Sequence, residues 1–377
     1  MGAAVIYLFP LAFDIIVSIS LFAGRHSLAE RGMDARTVGS LIAIYGIGYI
    51  IASLCMGKII RPAYARLQML VSILLIIILL ILLANTEKIR LIQVLFCGIP
   101  FATSLFFNAF QSFMLGVNAT LSKPLTKTVA HYTFAWSMGF AAGPALSALL
   151  RESAGWSASY YAGSAAAAVI GVIALLFRPP APGAVVKREN LAPGPSLCVP
   201  AWIGAMFCWT GWNMLATFWP VHAELLRFPA SIKGLVEFGF AISQAVAALL
   251  LAAVPAGYYR RKYFSLASLA GVLGSLFFAL GGHPALFVTG AVFFGAYSAH
   301  CLCNMVFQAS LEPGKAVKRI ALNEVLMGVS FLCGPILASA ILAATKDFSL
   351  SYVCLGGLLA AGAVIQGLVT RHKLKTI

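Results

Sequence analysis

The stretch Phe293–Pro335, FFGAYSAHCLCNMVFQASLEPGKAVKRIALNEVLMGVSFLCGP, decides how the chain is read. Two apolar segments flank one short loop that carries Lys315, Lys318 and Arg319. The same layout occurs earlier, from Phe96 to Pro144. Gly98 to Gln111 repeats the spacing of Gly295 to Gln308, with a Phe before each Gln, and Gly143-Pro144 answers Gly334-Pro335. A repeat about half the chain long means two copies of one helical unit. In lipid, such a duplication points to a transporter whose binding site lies between the copies.

Composition requires the lipid. Of 377 residues, 61% are hydrophobic and 10% charged, with a mean hydropathy of +0.94. Soluble domains average roughly 45–50% apolar and about 25% charged, so a soluble core could not hide this surface. Twelve apolar runs stand out. Six (3–24, 37–57, 68–85, 91–114, 129–150, 157–177) precede a Pro- and Gly-rich polar stretch beginning at Arg178. Six more (200–220, 232–256, 264–281, 285–309, 320–344, 351–369) follow it. Each is near the ~20 residues that cross a bilayer as a helix. The expectation is an all-α integral membrane protein with twelve transmembrane helices in two six-helix bundles. The bundles would cover residues 1–177 and 199–377, joined by a linker over 178–198.

The net charge of +15 is distributed as topology rather than as a nucleic-acid surface. Lys58, Arg61 and Arg66, Lys123 and Lys127, Arg178, Lys187 and Arg188, and Arg260, Arg261 and Lys262 fall in loops of one side. Lys315, Lys318, Arg319, Arg371, Lys373 and Lys375 fall on that side too. The positive-inside rule then places both termini and the linker in the cytoplasm, as expected of a multi-pass plasma (inner) membrane protein. The first apolar run lacks a basic leader and reads as a retained span. The eight cysteines lie nearly all in apolar runs, without a Cys-x-x-Cys pair, and read as small apolar residues. No phosphate loop, HExxH cluster or Gly-x-Ser-x-Gly elbow occurs, so neither cofactor, metal nor enzymatic chemistry is expected.

The arrangement resembles the major facilitator superfamily along its whole length. In that family the loop after span two reads Gly-x-x-x-Asp-(Arg/Lys)-x-Gly-Arg. Here Gly57 is kept, Arg61 stands where the family has Asp, Ala65 holds the last position and Arg66 follows it. The matching loop after span eight has Gly257 with Arg260 and Arg261. Gly139-x-x-x-Gly143-Pro144 resembles the core of the family's antiporter motif, and Gly334-Pro335 is its counterpart in span eleven. These five residues read as helix-packing positions. The resemblance implies alternating access, with spans 1, 4, 7 and 10 around a central cavity.

Those spans carry polar residues at helical spacing. They are Asp14 and Ser18 (with Tyr7 and Arg25) in span one, and Ser104, Asn108 and Gln111 in span four. Span seven adds Trp209, Trp212 and Asn213, and span ten His300, Asn304 and Gln308. Asn and Gln in such stripes serve equally as interhelical glue and as cavity lining. Trp209 and Trp212, at mid-depth, suit either stacking on a flat solute or plain packing. Trp202 and Trp219 are spaced like an interfacial belt. Asp14 is the leading proton-coupling carboxylate, with His300 as partner. Glu237 is expected to reach Lys233 one turn away. Arg61 and Glu324, with Gly57, Arg66 and Arg261 nearby, are expected to form a charge-swapped cytoplasmic gate.

The reading is a secondary active transporter of a small organic solute, proton-coupled and monomeric in the bilayer. A uniporter or lipid flippase of the same fold remains open, as does a receptor or scaffold without transport.

Overall fold

The computed structural model describes residues 5–61, 64–121, 125–176, 197–311 and 313–375. Among them are twelve long helices and no strand. The first six are α1 (Leu8–Glu30), α2 (Ala35–Ile59), α3 (Ala65–Ala84), α4 (Ile89–Leu121), α5 (Leu125–Ala154) and α6 (Trp156–Leu176). The second six are α7 (Cys198–Leu225), α8 (Ala230–Ala253), α9 (Arg261–Leu280), α10 (Pro284–Ser310), α11 (Pro313–Thr345) and α12 (Phe348–Lys375). The expected linker lies almost wholly outside the described residues.

Turn chemistry sets several boundaries. Gly32, at φ 76°, lets the chain leave α1 in a conformation that L side chains resist. Asp34 then accepts a hydrogen bond from the Thr37 amide at 2.8 Å and caps α2. Asp347 caps α12 in the same way, accepting from the Leu350 amide at 2.7 Å. The apolar runs understate several helices. α4 continues to Leu121, and α11 begins at Pro313, about two turns before its hydropathy rises.

The repeat is visible in the packing. α1 packs on α5, α2 on α4, and α3 on both α4 and α6. Six helices on, α7 packs on α11, α8 on α10, and α9 on both α10 and α12. The two halves meet chiefly along α2–α11 and α5–α8, which exchange under the same rule. Small residues permit these approaches. A Cβ on Gly46 would lie 2.6 Å from the Leu332 amide nitrogen across α2–α11. On Gly234 it would lie 2.9 Å from the Pro144 carbonyl across α5–α8.

Helices sort by depth. In α1 and α10, 72% and 67% of the most apolar window is buried, against 39% in α3 and α6 and 33% in α9 and α12. The outer helices bear exposed apolar stripes, such as Leu67, Val71, Leu74, Ile78 and Leu82 on α3. At i, i+4, i+7 spacing, such a stripe is what a lipid-facing helix presents. Eleven helices are long and apolar enough to span a membrane. The twelfth, α7, is long enough and carries Trp202, Trp209, Trp212 and Trp219 together with Asn213. It is enclosed by protein along most of its length, so lipid solubility is not demanded of it.

Candidate functional site

Alternation from α1 to α12 puts the start of α1, the end of α6, the start of α7 and the end of α12 at one end of the bundle, here the linker end. The opposite end is the far end. Among the described residues, a cavity of about 120 Å³ lies on the seam between the halves. Its walls follow helical spacing. α1 gives Asp14, Val17, Leu21 and Arg25, and α2 gives Ile42, Tyr45 and Tyr49. α4 gives Thr103, Phe107 and Gln111, and α5 gives Tyr132, Thr133, Trp136 and Phe140. From the second half come Trp209, Trp212, Asn213 and Ala216 of α7, Leu302, Met305 and Val306 of α10, and Glu324, Met327 and Phe331 of α11.

Asp14 is 4% exposed, and its Oδ2 has no hydrogen-bond partner. Its place is set by α5. The Cβ that Gly139 lacks would meet the Leu11 carbonyl and, at 3.0 Å, the Asp14 Cβ. Gly143 makes the same room for Ser18 and Ile19 one turn on. In the second half, a Cβ on Gly334 would lie 2.5 Å from the Asn213 Cβ, so α11 seats α7 as α5 seats α1. Pro144 and Pro335 follow these glycines within their helices.

Aromatic rings furnish much of the remaining wall. Trp212 stacks on Phe240 with centroids 3.5 Å apart. Trp209 stands edge-on to Trp136 at 5.9 Å, and its Nε1 is buried without a partner. Tyr45 meets Phe331 at 5.1 Å.

The cavity is bounded differently at its two ends. Toward the far end, the Arg25 guanidinium of α1 donates to Glu237 Oε2 of α8 at 2.7 Å and to the Ala216 carbonyl of α7 at 3.2 Å. Its Nε donates to the Leu21 carbonyl at 3.0 Å. His26 Nε2 lies 3.3 Å from Glu237 Oε1. The side chains of this ion pair are 5% and 2% exposed. Toward the linker end, Tyr49 donates to Glu324 Oε2, and Gln111 lies 3.4 Å from its Oε1 and 3.3 Å from the Tyr132 hydroxyl. α1 and α7 pack together near the far end, whereas their counterparts α4 and α10 make no comparable contact among the described residues.

Of the expected cavity residues, Asp14, Gln111, Trp209, Trp212 and Asn213 line it, and the others do not. Ser18 donates to the Asp14 carbonyl at 2.6 Å and reaches the Gly139 carbonyl at 3.2 Å, tying α1 to α5. Ser104 lies 3.4 Å from Ser53 of α2, and Asn108 donates back to the Ser104 carbonyl at 2.8 Å. The polar stripe of α10 turns into its own half. His300 sits edge-on to Phe264 of α9 at 4.9 Å, and Asn304 donates to the His300 carbonyl at 2.9 Å. Gln308 accepts from the Leu197 amide at 3.0 Å and donates to the Tyr258 carbonyl at 3.1 Å. The face that α10 gives the cavity is apolar. Ser18 and Gln308 thus tie elements together, whereas Asn108 and Asn304 bond back to their own helices.

The expected gate is not assembled in this conformer. Glu324 lies about three turns inside α11, and Tyr49 and Gln111 hold it rather than Arg61. Arg61 is exposed, and no ion pair joins it to Glu324 among the described residues. Arg66 donates to the Ala174 carbonyl at 2.9 Å and to that of Leu175, capping α6 within its own half. Arg261 is exposed at the start of α9, and Gly57 lies in the last turn of α2. Glu237 also differs from expectation: it takes Arg25 across the seam, while Lys233 pairs with Glu224. Trp219 is buried, its indole N–H 3.3 Å from the Lys233 carbonyl, and Trp202 donates to Asn323 at 2.7 Å. The belt reading fails for Trp219.

Most of the aromatic wall residues missed lie on α2, α5 and α11. Their signal was aromatic rather than polar: Tyr45 and Tyr49, then Tyr132, Trp136 and Phe140, recur at helical intervals.

A family description, Major Facilitator Superfamily, matches residues 4–299. Among solved structures, the chain is similar to a crystal structure of nucleoside transporter NupG, with TM-score 0.69, 13% identity and 100% of both chains covered. It is also similar to a crystal structure of the human organic anion transporter MFSD10 (TETRAN). There the TM-score is 0.68 and identity 14%, over 97% of this chain and 98% of that one. At these identities the likeness speaks for the fold. No curated protein matches at a significant level.

Proposed function

The chain belongs to the major facilitator superfamily of transporters, and from that premise we propose that it is a proton-coupled secondary transporter of a small organic solute. It works as a monomer by alternating access. Residues 1–177 and 199–377 rock about the seam, joined by the linker at 178–198. The observation that carries this reading is the seam cavity, which holds a buried carboxylate, Asp14, with an unpartnered oxygen. A carboxylate in such a place is held for a proton, a cation or a hydrogen-bond donor that comes and goes.

The distribution of Lys and Arg supports a cytoplasmic linker and termini in a plasma (inner) membrane. The conformer, shut at the far end by Arg25–Glu237, is then closed toward the outside. Rocking breaks that pair, opens the far end and carries Asp14 from one aqueous phase to the other. Solute and proton share the compartment, so occupancy by one sets the affinity for the other.

The test is uptake into proteoliposomes under an imposed pH gradient, offering nucleosides and organic anions, the classes named for the two fold neighbours, alongside aryl amines and free heterocycles. Asp14→Asn should retain exchange of neutral solutes and lose gradient-driven accumulation. Full accumulation by that variant removes Asp14 from the coupling, and no uptake of any solute class removes transport.

A further inference from the structure

Most polar groups on the cavity wall are already engaged. Asn213 Nδ2 donates to the Trp209 carbonyl at 2.8 Å, Gln111 and Tyr49 attend Glu324, and Arg25 is committed to Glu237. On two residues of the wall a buried polar atom is left over. Asp14 Oδ2, on α1 of the first half, is an acceptor without a donor. Trp209 Nε1, on α7 of the second half, is a donor without an acceptor. Their side chains belong to residues 4% and 2% exposed. Buried groups left this way are costly, and the exceptions call for a partner that is not part of the chain.

Charge narrows the partner further. The wall holds two carboxylates, Asp14 and Glu324, and Arg25 is its one cation among the described residues. Because Arg25 is matched by Glu237, the wall has no free positive charge to greet an anion. Aromatic rings fill much of what remains, and ring faces favour flat or cationic solutes. The volume, about 120 Å³, is on the scale of a cavity that holds one aromatic ring.

We propose that the two halves share recognition of one flat solute, which gives a hydrogen-bond donor to Asp14 and takes the Trp209 indole N–H on an acceptor atom. The class is a neutral heterocycle with adjacent N–H and carbonyl or ring-nitrogen groups, while an arylalkyl amine, which has donors and no acceptor, engages Asp14 alone. Aryl carboxylates and other organic anions are excluded. The inference rests on the seam cavity being the solute site and narrows the solute class left open above. A solute held from both sides of the seam also explains how binding reports to both halves at once.

The experiment is equilibrium binding by calorimetry on detergent-purified protein, with no gradient and no translocation, so it stands or falls apart from transport. The probes are uracil and adenine for neutral heterocycles, tryptamine for aryl amines and benzoate for anions. Saturable binding of a heterocycle or of tryptamine, without binding of benzoate, is expected. Trp209→Phe keeps the ring and removes the donor. It should weaken heterocycle binding about tenfold, the factor that ~1.4 kcal/mol carries, with the melting temperature unchanged. Asp14→Asn should cost tryptamine at least as much while sparing uracil, because the amide oxygen still accepts but carries no charge. If both variants bind every probe as the parent does, recognition is elsewhere. Binding of benzoate alone overturns the charge argument, and so does the lack of saturable binding by uracil, adenine and tryptamine together.

Discussion

The two ends of the cavity are closed by different chemistry. At the far end a buried guanidinium and a buried carboxylate face each other across the seam, and the guanidinium also satisfies two backbone carbonyls. At the linker end a carboxylate is held by a tyrosine hydroxyl and an amide, with no cation paired to it among the described residues. The contrast is one of cooperativity. A buried ion pair is tolerable when fully hydrogen-bonded and very unfavourable once one partner is lost, so it acts as an all-or-none latch. Neutral donors around a carboxylate give way in smaller steps of about 1–3 kcal/mol, as hydrogen bonds to a charged group do. The far end should therefore open abruptly and the linker end gradually.

The largest expected effect comes from breaking the latch. Glu237→Ala leaves Arg25 buried without its counter-ion, at a cost of about 3–5 kcal/mol to the far-end-closed conformer. Hydrogen exchange at the far-end turns should rise by two or more orders of magnitude. Arg25→Met with Glu237→Leu should recover much of the melting temperature while altering transport. A double variant as unstable as Glu237→Ala would show that packing, and not charge, seals this end.

Next in size is steric opening of the same end. Gly234→Val places carbon against the Pro144 carbonyl and the Ala148 methyl, each 2.9 Å from the added Cβ. Overpacking of this kind costs about 1–3 kcal/mol. It should raise far-end exchange without changing the linker end, and equal changes at both ends would deny that they move separately. At the linker end, Tyr49→Phe removes one donor from Glu324, worth about 1–3 kcal/mol. Exchange in the last turns of α2 should rise by up to about a hundredfold.

The smallest effect concerns pH. The Thr37 side chain and amide, through their hydrogen bonds, hold the Asp34 carboxyl below its ordinary value. A depressed folded-state pKa means stability that is present above the unfolded value near 3.9 and lost as pH falls through the folded value. Asp34→Ala should cost about 0.5–2 kcal/mol at neutral pH, the range of an N-cap. The difference in melting temperature between variant and parent should shrink below about pH 4.

The fold was legible because lipid enforces it: twelve apolar runs, a duplicated Gly-Pro and a Pro-rich break leave little else for the chain to be. The site was legible only in part, for a physical reason. Polarity within a span reports that a group needs a partner, not which partner. His300, Asn304 and Gln308 found theirs in α9, in their own helix and at the start of α7. Glu237 reached past Lys233 to α1. Tyr45, Tyr49 and Trp136 line the cavity as aromatic residues, and their spacing alone does not separate such a role from ordinary packing.

The enclosure of α7 has a consequence for how the protein is made. A segment whose buried face carries Trp209, Trp212 and Asn213 has that face open to lipid until protein covers it. In the finished molecule α11 and α12 shield it, but both are synthesised after it. During biogenesis that face stays uncovered until those partners emerge. The second half should therefore be assembled late and as a unit, and truncation after α10 should leave α7 loosely held.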